Sequence, residues 1–166
     1  MSTGKKVLEG RVAIVTGGGS GLGRAMATTL AEAGAAVAIT GRQPQPLQET
    51  AAELCQRGGA VRAIPCDVRS MREVEAAVRE VVEWRGRLDI LVNNAAIFPA
   101  GLLTQVTEEV WVSVIDTNLN GAFRMARACL PGMIRNRWGR LIDVASPPGL
   151  LGTVTAPASG TSTGAL

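Results

Sequence analysis

Histidine and tyrosine are absent from this 166-residue chain, and its only lysines, Lys5 and Lys6, sit together in the N-terminal arm. Imidazole, phenol and a perturbed ammonium are the usual carriers of a proton near neutral pH, so beyond residue 6 the chain has none of them. Three cysteines, Cys55, Cys66 and Cys129, are odd in number and far apart, with no C-x-x-C pair. A disulfide framework and a Cys/His zinc site are both excluded on that pattern, no metal is expected, and the thiols read as small buried residues. Aromatic residues make up 3% of the chain, and the arginines are scattered among glutamates instead of forming a stripe. The net charge of +3 therefore implies a solvated charged surface, not a nucleic-acid partner. No uncharged apolar run reaches the roughly 18 residues of a membrane span, and the start of the chain lacks a basic-then-apolar leader. A cytoplasmic protein without a membrane partner is expected.

What is present is 46% apolar residues arranged as strands alternating with helices. That pattern suits one α/β domain over residues 1–166, with a polar lead-in at 1–10 and a small-residue tail at 152–166. Between an apolar strand, Val12 to Thr16, and an amphipathic helix lies Thr16-Gly17-Gly18-Gly19-Ser20-Gly21-Leu22-Gly23. Glycine permits positive φ and close approach to the main chain, while a helix start offers unpaired N–H groups and a positive dipole end. A phosphate is the natural occupant. The strict G-x-G-x-x-G pattern fails in every register, and the P-loop fails because Arg24-Ala25 follows Gly23. The form that fits is T-G-x-x-x-G-x-G.

Leu22, Ala25, Met26, Thr29, Leu30 and Ala33 share one helical face, and Gly34 stops that helix. A second strand, Ala36 to Thr40, is almost wholly apolar, as in a parallel sheet covered on both sides. In dinucleotide folds an acidic residue closing this strand accepts from a ribose 2′-OH, whereas an arginine suits a 2′-phosphate. Gly41-Arg42 stands there, with no acid until Glu49, which favours NADP over NAD. Pro44 and Pro46 start the next helix, with Leu47, Ala51, Leu54 and Cys55 as its buried stripe. A third strand, Val61 to Cys66, runs into Asp67-Val68. Ser70 and Glu73 form a capping box for a helix that ends at Gly86. A fourth strand, Leu88 to Val92, delivers Asn93-Asn94-Ala95-Ala96 at the end of the sheet where α/β folds bind ligands. Thr107 opens a helical region continuing to about Asn136, interrupted by Asn118, Gly121 and Pro131. A fifth strand, Arg140 to Ala145, delivers Ser146.

These elements together resemble the short-chain dehydrogenase/reductase family: the T-G-x-x-x-G-x-G loop, Asp67-Val68, Asn93-Asn94-Ala95-Ala96, the stretch around Asn118, and Ser146. The resemblance implies a three-layer, Rossmann-like, doubly wound parallel sheet of about five strands in the order 3-2-1-4-5. It implies Gly17, Ser20, Gly21, Leu22, Gly23, Arg42, Asp67, Val68, Asn94, Ala95 and Ala96 as cofactor contacts. Asp67 has two readings, an adenine contact or a loop carboxylate capping its own turn. Asn93 is expected to tie strands together. Asn118 is either a water-holding member of a proton relay or a kink without a catalytic role. Ser146 is expected to hydrogen-bond a carbonyl substrate.

The family's proton donor is a tyrosine thirteen residues after that serine, followed four residues later by a lysine. Those positions are Ser159 and Thr163. A serine hydroxyl does not ionise near neutrality and threonine carries no charge, so the proton-transfer contribution of about 10²- to 10⁴-fold is expected to be missing. Family domains also continue beyond the segment that ends here at Leu166. A truncated or altered NADP-binding oxidoreductase is therefore expected, with a small carbonyl or alcohol substrate if active. An exposed edge at the fifth strand would favour a homo-oligomer. The alternative is a non-catalytic dinucleotide-binding or interaction module, or an inactive fold fragment.

Overall fold

The computed structural model describes residues 6–166; Lys5 and the rest of 1–5 in the expected lead-in lie outside the described residues. Strands and helices alternate as β1 (Val12–Thr16), α1 (Gly21–Glu32), β2 (Ala36–Gly41), α2 (Pro44–Gln56), β3 (Ala60–Pro65), α3 (Met71–Arg85) and β4 (Ile90–Asn93). With β5 (Arg140–Asp143) they form one parallel sheet in the order β3-β2-β1-β4-β5, as expected.

The apolar strands are explained by layers on both faces. Along β1, Val12 and Ile14 join Val74, Ala77 and Val81 of α3, whereas Ala13 and Val15 join Ala27 and Ala31 of α1 and Leu47 of α2. Successive strand side chains point to opposite faces, so a strand covered twice has no polar position to offer. Each fully buried branched side chain, such as Ile14 or Leu91, contributes about 1.5–3 kcal/mol.

Several local readings need correction. The buried stripe of α1 is Gly23, Ala27 and Ala31, not the face of Leu22, Ala25 and Thr29. Small residues let this helix lie close to the sheet, while Met26 and Leu30 pack at the margin and Leu22 stays 60% exposed. Cys55 is exposed, and Thr50 is buried in α2 instead; Cys66 and Cys129 are buried as expected. The Ser70 side chain does accept from Glu73 N, at 3.3 Å, but the Glu73 carboxylate accepts from Asp67 N at 2.9 Å, so the capping box is only half formed. β5 stops at Asp143, two residues short of Ala145.

The long helical region is α4 (Glu108–Val114), a π-helical turn (Ile115–Asn120) and α5 (Gly121–Arg135). Pro131 does not interrupt α5 but lies inside it. Gly121, Met125, Cys129 and Met133, spaced at i+4, bury one face and hold the helix across the missing N–H. Gly121 serves close approach: a Cβ there would meet Val68 Cγ2 at 2.7 Å. Residues 152–166, expected as a small-residue tail, carry helix α7 (Pro157–Gly164), preceded by a one-turn α6 (Pro148–Leu151).

At the opposite end of the sheet from the glycine loop, Asp89 is fully buried. It accepts from Val12 N at 3.0 Å and from the guanidinium groups of Arg11 and Arg87. Burial raises the pKa of this carboxyl, but the hydrogen bonds from Arg87 and Val12 outweigh it and leave it below the ordinary carboxylate value. A depressed folded-state pKa stabilises the protein above the unfolded-state value and loses that contribution as pH falls through the folded one. Asp89→Ala is expected to lower unfolding free energy by about 2–4 kcal/mol at neutral pH, with the difference from the unaltered chain shrinking below about pH 4. Urea unfolding at two pH values checks this.

Candidate active site

The loop between β1 and α1 is shaped by contacts a side chain would break. Gly17 has φ +66°, and a Cβ on Gly23 would lie 2.2 Å from Gly17 O and 2.6 Å from Asn94 Nδ2. The first turn of α1 therefore folds directly onto the loop. It contains no acidic side chain, which leaves its N–H groups and positive dipole end for an outside anion.

Thr16 and Asn94 lock this loop to the end of β4. Thr16 Oγ1 accepts from both Asn94 N and Ala95 N at 2.9 Å, and Asn94 Nδ2 donates to Thr16 O at 2.9 Å. Thr16 was not singled out as a site residue, although a hydroxyl closing an otherwise apolar strand was a readable signal. Asn93 donates to Asp143 at 2.8 Å and so ties β4 to β5.

One cleft of about 330 Å³ opens along the carboxyl ends of the strands. Gly17, Ser20, Gly21, Leu22, Gly23, Arg42, Asp67, Val68, Asn94, Ala95 and Ala96 all line it, so every predicted cofactor residue is brought to one place. Gly41, Cys66, Ile97 and Thr117 line it as well and were not anticipated. A second groove shares Gly17, Ser20, Gly41 and Arg42 and extends the cleft past Gln43 and Pro46. An elongated ligand with an anionic middle fits this shape: a glycine cradle and helix start at the centre, with Arg42 at one end. Burial pushes the Cys66 thiol up to about 12, with the charges of Glu73 and Asp67 adding to it, so this thiol stays protonated and unreactive.

Asp67 lines the cleft, and its carboxylate caps its own turn by accepting from Arg69 N at 2.9 Å. The Arg69 guanidinium holds its carboxyl below the usual carboxylate range.

Ser146 follows β5, and its Oγ lies 3.4 Å from Thr163 Oγ1 on α7. Thr163 Oγ1 in turn donates to Ser159 O at 2.8 Å, and Ser159 is buried. Gly149 permits this approach, because a Cβ there would meet Thr163 Oγ1 at 2.7 Å. Asn118 sits in the π-helical turn, which interrupts the α-helical hydrogen-bond pattern between α4 and α5. Its amide accepts from Ile97 N at 2.9 Å and donates to Ile97 O at 3.1 Å and Ser162 Oγ at 3.2 Å. Asn118 thereby joins the loop after β4 to α7. Chemically, Ser146 and Thr163 bring two hydroxyls together, while the buried Ser162 hydroxyl is committed to Ser159 O at 3.0 Å and to Asn118. Such hydroxyls can orient a carbonyl oxygen by hydrogen bonding, but Ser146, Ser159, Ser162 and Thr163 offer neither an acid that titrates near neutrality nor a cation.

The family model described as short chain dehydrogenase matches residues 11–166. A Streptomyces coelicolor protein with the provisional name ketoacyl reductase is 39% identical over 150 residues, covering 89% of this chain and 58% of its own length. An uncharacterized oxidoreductase of Staphylococcus aureus is 39% identical over 143 residues, covering 86% of this chain and 61% of its own. The crystal structure of an NAD+-bound xylitol dehydrogenase, 34% identical, matches with a TM-score of 0.93 over 96% of this chain and 62% of that one. The chain thus spans 58% to 62% of the length of these relatives. With its strand order, glycine loop and residue-level match in agreement, the chain belongs to the short-chain dehydrogenase family.

Proposed function

We propose that this chain is the cofactor-binding portion of an NADP(H)-dependent oxidoreductase of the ketone or aldehyde reducing type, able to bind the dinucleotide but with its own turnover lost or very slow. The gathering of all the expected cofactor residues around one cleft carries the reading. The bound dinucleotide would supply the hydride. Gly17 to Gly23 and the start of α1 would hold its pyrophosphate, and Arg42, exposed at the end of β2, would face a ribose 2′-phosphate. Ser146 would hydrogen-bond the carbonyl oxygen of a small-molecule substrate, with Asn118 fixing the neighbouring loop and α7. Ser159 and Thr163 leave the alkoxide without a proton donor.

The edge residues Leu141 and Ile142 and the α5 residue Ile134 are all exposed, which supports self-association as a homo-oligomer. Free thiols at Cys55, Cys66 and Cys129 suit a reducing compartment, and the cytoplasm is the proposed location. A second reading, a non-catalytic NADP-binding or interaction module, draws on the same hydroxyl side chains and differs in what restoring the missing side chains would do.

Titration with NADPH and with NADH tests the cofactor assignment. NADPH is expected to bind at least about tenfold more tightly, a free-energy difference near 1.4 kcal/mol. Equal affinities would remove the argument from Arg42.

A further inference from the structure

Arg42 is not alone at its end of the cleft. β2 and β3 are neighbours, with Gly41 opposite Pro65, and Cys66 N donates to Gly41 O at 2.9 Å. The residues that follow, Arg42 on one strand end and Asp67 on the other, therefore flank the same opening. A free carboxylate there would act against a 2′-phosphate twice. It would repel the dianion directly, and it would compete with it for the Arg42 guanidinium.

Arg69 removes that carboxylate from play. Its Nε lies 3.0 Å and 3.1 Å from the two Asp67 oxygens, its Nη2 lies 2.6 Å from Oδ2, and its backbone N–H donates to Oδ1 at 2.9 Å. This is a bidentate fork on a two-residue loop, so it costs little chain entropy to hold. The other carboxylates nearby are already committed: Glu73 accepts from Asp67 N at 2.9 Å, and Asp116 is paired with Arg124 at 2.7 Å. We propose that Arg69 is a positioning residue for cofactor selection, which masks the charge of Asp67 and so lets Arg42 act on a 2′-phosphorylated dinucleotide. The proposal rests on the reading that a dinucleotide occupies the cleft.

The test measures dissociation constants for NADPH and NADH on the unaltered chain and on Arg69→Gln, Asp67→Asn and the double variant Asp67→Asn/Arg69→Gln. Taking the ratio of the two constants cancels any contact Asp67 makes with the part common to both cofactors. Arg69→Gln is expected to reduce the preference for NADPH by about five- to tenfold at low salt, leaving NADH affinity nearly unchanged, with the loss fading as salt rises. The double variant is expected to regain the preference of the unaltered chain, because no charge is left to mask. Arg69 is partly exposed, so thermal unfolding should stay close to that of the unaltered chain in all variants. Equal weakening of both cofactors in Arg69→Gln would mean a purely structural role and overturn the proposal, as would a double variant that fails to regain the preference. Binding of neither cofactor to the unaltered chain would overturn the parent reading, and this proposal with it.

Discussion

Ser159→Tyr/Thr163→Lys is expected to raise ketone-dependent NADPH oxidation by at least about a hundredfold, the lower end of what a positioned acid contributes. The two substitutions should act as a unit. A phenol alone has a pKa near 10 and holds its proton too tightly, while a lysine alone supplies charge without a proton path. Positions 159 and 163 are one turn apart on α7, and position 163, where the lysine would stand, is beside Ser146, with Thr163 Oγ1 3.4 Å from Ser146 Oγ. Ser159 is only 4% exposed, so the larger ring must displace its neighbours, and a stability loss of about 1–3 kcal/mol is expected from overpacking. Ser159→Phe/Thr163→Lys fills the same volume without the hydroxyl and should show no gain. If the tyrosine variant binds NADPH, folds and still does not turn over, these two positions do not decide turnover, and the non-catalytic module becomes the better account.

Gly23→Ala is expected to weaken NADPH binding by at least about a hundredfold, or some 2.7 kcal/mol. The added Cβ would sit 2.2 Å from a backbone oxygen, where no rotamer change can relieve it. Either the α1 start or the Gly17 turn must move, and the N–H groups aimed at the pyrophosphate move with it. Gly58→Ala provides the comparison. Gly58 also needs glycine, at φ +84°, but nothing lies within 4 Å of its added Cβ, and it stands at the far end of α2. That variant should lose about 1 kcal/mol of stability through backbone strain and keep its cofactor affinity. Isothermal titration with both variants separates damage to the cleft from general destabilisation.

The glycine loop, the strand order and the convergence of Arg42, Asp67 and Asn94 were legible because they depend on short-range signals: apolar runs, glycines at a strand-to-helix turn, and residues at strand ends. The buried face of α1 was not, because hydrophobicity favoured Leu22 and Leu30 whereas the helix packs on Gly23, Ala27 and Ala31. Close approach to a sheet selects small side chains over apolar ones. The local chemistry of Pro131 predicts a break, and the buried Met125, Cys129 and Met133 stripe overrides it. The committed amide of Asn118 was invisible for a different reason: its partners, Ile97 and Ser162, are distant in sequence. Arg69 stands only two residues from Asp67, yet nothing in the letters shows that its side chain folds back onto the carboxylate.

The central claim is that this chain keeps the cofactor cleft while lacking the proton donor, and one experiment reads both halves. NADPH is titrated into the unaltered chain while its fluorescence is followed, a small ketone is added at saturation, and the dihydronicotinamide absorbance is then recorded. The account predicts a saturable fluorescence change at roughly micromolar NADPH, some 8 kcal/mol of binding, followed by an absorbance that stays flat. Brisk loss of that absorbance on adding the ketone, or no saturable binding at all, would contradict it.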